Sequence, residues 1–161
     1  MRPGMAMRRD QDGLTTVEFA IIGLLFFVML FGVIEMARAL FVVNTLTEAT
    51  RRGARMAAVC PVGDPQPANV AVFGDGSGNS TAVSGLSTAN VQIDYLDVNG
   101  NVLPNPTVTF GLIHYVRAQI VGFTLPLAIP LLAPTLSLSG FRATVPRESL
   151  GVPRAGAIAP C

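Results

Sequence analysis

Between Phe19 and Ile34 the chain has no charged and no polar side chain. At 1.5 Å per residue, Leu14 to Ile34 makes a helix of roughly 31 Å, which matches the hydrocarbon core of a bilayer. One acid, Glu18, stands at the head of this run. A carboxylate in a membrane helix costs up to roughly 2–3 kcal/mol at depth and less near the interface. A plain anchor has no reason to carry that cost. A helix that must engage another protein inside the bilayer does.

The spacing around Glu18 narrows the reading. In Gly13-Leu14-Thr15-Thr16-Val17-Glu18-Phe19 the acid is the fifth residue after Gly13, and an aromatic follows it. A short charged leader, a glycine and an apolar helix with glutamate at its fifth position resemble a type IV prepilin. Gly32-Val33-Ile34-Glu35 closes the apolar part, and Ala49-Thr50-Arg51-Arg52-Gly53-Ala54-Arg55 follows. With these the chain resembles the TadE family, minor pilins (pseudopilins) of the tight-adherence, or Flp, pilus system. The match is clear over residues 8–58 and weaker over the strand pattern near the C-terminus. TadE-like helices often carry proline where this chain has Gly23. Glycine permits a bend without imposing one.

The resemblance implies a pilin-like α+β fold, in which a long N-terminal helix, transmembrane in its first half, continues into a small domain with an antiparallel sheet. It implies a prepilin peptidase that cuts between Gly13 and Leu14, and an assembly role for Glu18 and Phe19. The implied partners are a TadF-like companion, the major pilin, the inner-membrane assembly platform and membrane lipid. Residues 1–13 would be the leader, 14–58 the long helix with its span at about 14–34, 59–90 a Gly/Pro/Ser-rich loop region and 91–161 the β domain with its tail.

Two other readings of the N-terminus compete. A cleaved secretory signal needs a basic start, an apolar core of about 7–15 residues and a small-x-small site. Arg2, Arg8 and Arg9 supply the start and Ala37-Arg38-Ala39 matches the site formally. Glu18 interrupts the start of that core, and Glu35 and Arg38 crowd the site. An uncleaved anchor explains the length alone. Only the prepilin reading explains both Gly13 and Glu18. Arginines flank the span on both sides, so their count decides little about orientation. The short leading tail favours an N-terminus inside, and the larger part with both cysteines suits the outside.

Composition bounds the function classes. Half of the 161 residues are hydrophobic and 13% are charged, too apolar for an ordinary soluble domain. The net charge is +1, every basic residue is arginine and tryptophan is absent. No basic patch interleaved with aromatics supports nucleic-acid binding. His114 is the sole histidine, and reads as a packing or hydrogen-bonding residue. Cys60 and Cys161 are too few and too far apart for a zinc motif. Asp94 and Asp97 read as solvated acids flanking a hairpin. No cofactor and no catalytic site follow from the chain. Two cysteines in an exported domain are expected to be joined, which would tether the tail to the end of the long helix.

Helical periodicity continues past the membrane run. Val43, Leu46, Ala49 or Thr50, Gly53, Ala54 and Ala57 recur at three- and four-residue steps, a small-residue face for the chain's own domain or for neighbouring subunits. Glu48 and Arg52 are spaced to pair, and Pro61 marks the end. Residues 61–90 are turn and loop material, including Gly74-Asp75-Gly76-Ser77-Gly78-Asn79-Ser80. Asp75 and Asn79 faintly suggest a cation loop, but no downstream glutamate completes it. Strands are expected from Val91 to Tyr95, from Tyr115 to Leu125 and from Thr135 to Val145, with Asn99-Gly100 as a hairpin turn. The proline-broken apolar stretch 125–134 reads as a buried crossover or an exposed patch for a partner. The function expected is assembly of a tight-adherence pilus. The alternatives are a monomeric membrane-anchored periplasmic binding domain and a type II secretion pseudopilin.

Overall fold

The computed structural model describes residues 11–73, 83–127, 135–152 and 161. One helix, α1, runs from Gln11 to Val59. The chain divides into two units, residues 1–38 and 39–161. In the first unit α1 keeps its apolar side chains exposed, Phe19, Leu24, Phe27 and Met29 among them. This stretch is long and apolar enough to cross a membrane. Its surface suits lipid or other apolar helices, since every backbone group from the second turn on is bonded inside the helix.

In the second unit α1 has one buried side. Val42, Leu46, Ala49, Gly53 and Ala57 follow steps of three and four, so they share a stripe. Val42, not the expected Val43, begins it. The stripe packs inside the unit, against the chain's own strands. Val42, Leu46 and Ala49 join Val72, Leu86, Ile120 and Phe123 in one core cluster. Ala57 joins Tyr95, Ile113, Val116 and Leu150 in another. Glu48 and Arg52 form no ion pair among the described residues.

A second helix, α2 (Gln66–Phe73), stands within the segment expected as loop. Asp64-Pro65-Gln66-Pro67 reads as a turn, yet it is also a helix start. The Asp64 carboxylate accepts the Gln66 N–H at 2.8 Å, and proline in a first turn gives up a donor that has no helical partner anyway. Ala71 and Val72 then bury against the core.

Five strands follow: β1 (Val91–Leu96), β2 (Tyr115–Ile120), β3 (Phe123–Pro126), β4 (Thr135–Leu138) and β5 (Arg142–Pro146). They form an antiparallel three-stranded sheet in the order β1-β2-β5 and a two-stranded sheet of β3 and β4. The architecture is α+β and pilin-like, a long helix followed by a small antiparallel domain.

Two expected strands are each broken at a glycine. Gly122 (φ 65°) separates β2 from β3, and Gly140 (φ 92°) separates β4 from β5. Positive φ is nearly free for glycine alone, and each break lets the chain leave one sheet and enter the other. Asn90 clamps the first break: its side chain donates to the Val121 carbonyl at 3.1 Å and its own carbonyl accepts the Val121 N–H at 2.8 Å. The turn at Asn99-Gly100 forms, but its second arm is a single bridge, Leu96 to Val102. Pro104 and Pro106 remove the N–H donors a longer arm would need, so β1 takes β2 as its ladder partner. Pro126 pairs with Thr135 across antiparallel neighbours. Residues 128–134 and the Asp75–Asn79 stretch lie outside the described residues.

Candidate functional site

The N-terminal turns of α1 hold Gly13, Leu14, Glu18 and Phe19 within the same helix. Leu14 and Glu18 are four apart, so their side chains stack on one face a turn away from each other. Leu14 is 64% exposed and Phe19 77%. Glu18 is exposed and makes no hydrogen bond or ion pair among the described residues. A Cβ added at Gly13 would meet nothing within 4 Å among the described residues, so their packing does not demand glycine there. Glycine inside a helix costs about 1 kcal/mol relative to alanine.

At the far end of the apolar run, Glu35 is buried and paired with Arg38. The Arg38 Nε donates to Glu35 Oε2 at 3.1 Å and Nη2 donates to Oε1. The pair compensates both charges next to the apolar segment, where either alone would be costly.

The C-terminal end of α1 is covered by the last described turn of the chain. The Ala58 carbonyl accepts the N–H groups of Glu148 (3.0 Å) and Leu150 (3.2 Å), and the Val59 carbonyl accepts that of Gly151 (2.6 Å) and the Ser149 hydroxyl (3.1 Å). Helix ends leave such carbonyls without intrahelical donors. Cys60 and Cys161 are disulfide-bonded with their Cα atoms 5.6 Å apart. The Cys161 N–H also donates to Asp64 Oδ2 at 3.3 Å.

The outward face of the three-stranded sheet carries a polar network. Asp94 is 6% exposed. Its Oδ2 accepts from Arg117 Nε (3.1 Å) and Nη2 (2.8 Å) and from Gln119 Nε2 (3.0 Å), while Oδ1 accepts from Gln92 Nε2 (2.8 Å). Asp94 is therefore not the solvated acid expected. Asp97 does stay at the surface, where its carboxylate accepts from the Asn101 side chain and from the N–H groups of Asn99 and Asn101. The Asn101 side-chain bond, with the backbone bonds behind it, holds its pKa below the ordinary carboxylate value. His114 is exposed and engages the sheet through its backbone, donating to Leu96 and accepting from Arg147. No group of metal-binding side chains occurs among the described residues.

Residues 13–55 match the family model described as TadE-like protein. Over those residues the chain is TadE-like. The TadE-like segment begins at Gly13 and takes in Glu18, Glu35, Arg38 and Gly53. Comparison with curated proteins and with solved structures finds no match.

The TadE-like helix thus brings Gly13, Leu14, Glu18 and Phe19 together by sequence alone, and the disulfide joins residues 101 apart. Sequence reasoning missed the Asp94 network. Its signal was present: Gln92 and Asp94 on one alternating strand and Arg117 and Gln119 on the next are polar positions, and Asp94 and Arg117 carry opposite charge. Only the register, with Asp94 opposite Arg117 and Gln92 opposite Gln119, joins them.

Proposed function

We propose that this protein is a minor pilin or pseudopilin that serves the assembly of a tight-adherence pilus, as a structural component and not an enzyme. The observation that carries the reading is the unpartnered Glu18 carboxylate one turn from Leu14 on an exposed apolar helix that is TadE-like. In this reading the helix sits in the inner membrane with its N-terminus in the cytoplasm and the residue 39–161 unit in the periplasm. A prepilin peptidase cuts between Gly13 and Leu14, where the absence of a side chain at Gly13 leaves the scissile bond accessible. The new amine at Leu14 and the Glu18 carboxylate of a neighbouring pilin then neutralise one another. The Coulomb gain is largely offset by desolvation, so the pair contributes register more than affinity. Removing one partner leaves the other charge uncompensated in lipid. The partners are the TadF-like and major pilins and the assembly platform.

The test is co-purification from the envelope. Glu18→Ala is expected to insert and to be processed like the wild type, yet to lose association with other pilins. Undiminished association would remove Glu18 from the assembly mechanism.

A further inference from the structure

The outward face of the three-stranded sheet carries a feature that pilus assembly through α1 does not use. Beside the 98–100 turn lies a shallow depression of about 490 Å³. Leu96, Val98 and Tyr115 line its apolar side, and Arg117, Arg142 and Thr144 its polar side. The register puts them on one face: Leu96 lies opposite Tyr115, Thr144 opposite Arg117, and Arg142 opposite Gln119. Val98 is 62% exposed and Tyr115 37%, large apolar groups left open to solvent.

The charges are unequal. Asp94 neutralises Arg117 through Nε and Nη2, which leaves Nη1 without a hydrogen bond among the described residues. Asp94 is itself held by Gln92 and Gln119, so the Arg117 guanidinium is fixed before any ligand arrives. Arg142 is exposed and has no acidic partner among the described residues. The residues that line the depression therefore present one uncompensated positive charge and two guanidinium groups beside an apolar wall, while the Asp97 carboxylate in the flanking turn is held by the N–H groups of Asn99 and Asn101. Guanidinium groups bind carboxylates through paired, charge-assisted hydrogen bonds. The apolar wall calls for an apolar group next to the anion, which a carboxylate on a peptide supplies and inorganic phosphate does not.

We infer that this depression is a docking site for an acidic side chain, flanked by an aliphatic residue, on an exposed segment of a partner protein. The carboxylate lies against Arg142 and the free Nη1 of Arg117, and the aliphatic neighbour covers Tyr115 and Val98. The inference stands whether or not the pilus reading does, because it rests on the residue 39–161 unit alone.

The test uses the full-length, isotope-labelled protein in detergent micelles and three probes: acetyl-Leu-Glu-Leu-amide, its glutamine counterpart and inorganic phosphate. The amide resonances of Tyr115 and Thr144 report binding. The glutamate peptide is expected to shift them saturably and to bind at least about tenfold more tightly than the glutamine peptide. In Arg142→Gln that preference should fall to within about twofold, while the resonances of Gln92 and Asp94 stay in place and show the sheet intact. Arg142→Lys should retain part of it, since the charge remains and the planar fork is lost. Absence of saturable shifts, equal affinity for both peptides, an unchanged preference in Arg142→Gln or tighter binding of phosphate would each overturn the inference.

Discussion

Glycine plays opposite parts at three positions. At Gly53 a Cβ would stand 3.0 Å from the Ala71 Cβ and 3.3 Å from the Pro67 carbonyl oxygen. Helix propensity alone favours replacing it, but α2 packs directly over it. Gly53→Leu should lower stability by about 1–3 kcal/mol through overpacking, read as a lower unfolding temperature in micelles. Gly151 is constrained twice. Its φ is 75°, and a Cβ there would fall within 2.8 Å of the Pro61 nitrogen. Gly151→Ala should cost about 1–3 kcal/mol and loosen the turn that covers the α1 terminus. Amide exchange at Gly151, whose N–H donates to Val59, would report the loosening. Gly13, where an added Cβ would meet nothing within 4 Å among the described residues, should tolerate substitution in folding. Asp97 supplies a pH dependence at the same scale. Its pKa is lowered in the fold, so the bonds its carboxylate accepts are present above the ordinary carboxylate pKa and are lost as pH falls through the lowered value. The Asn99 and Asn101 amide resonances should move together below about pH 4 and not above it.

The disulfide decides most among the elements. It closes a sequence separation of 101 residues, which in the chain-entropy picture stabilises by at most about 4–5 kcal/mol. It also holds Cys161 beside Asp64 and the end of α1. Protein isolated from the envelope without reductant should offer no reactive thiol under denaturing conditions; two labelled thiols would show the bond absent. Much of this level could be read in the sequence. The apolar run and the small-residue stripe set out α1 as a helix, and period-two alternation marked β1 and β2. The misses have local causes. Val121-Gly122 and Ser139-Gly140 sit inside alternating, strand-rich stretches, and nothing nearby says that the glycines take positive φ. The helix α2 was hidden because Asp64-Pro65-Gln66-Pro67 serves equally as a turn and as a helix start. The Asp94–Arg117 pair depends on register between strands more than 20 residues apart in the chain (|i−j|=23), which no local pattern carries.

At the scale of the molecule, two parts answer to different solvents. Residues 13–34 expose an apolar helix surface that water would not tolerate and lipid would. Residues 39–161 bury two core clusters, cover the end of α1 and carry a disulfide, which suits an oxidising compartment. The Glu35–Arg38 pair closes the uncharged run, and Met36, Leu40 and Phe41 continue the exposed apolar surface around and beyond it. An anchor would need the helix and nothing more. In the proposed function, Gly13 and Glu18 serve a helix that is cut and then meets its own kind. Mass spectrometry of the N-terminal peptide of the protein isolated from the bacterial envelope tests this most directly. Assembly as a processed pilin predicts a mature chain beginning at Leu14, with Gly13→Leu left uncut. A mature chain that retains Gly13, or that begins after Ala39, would contradict it.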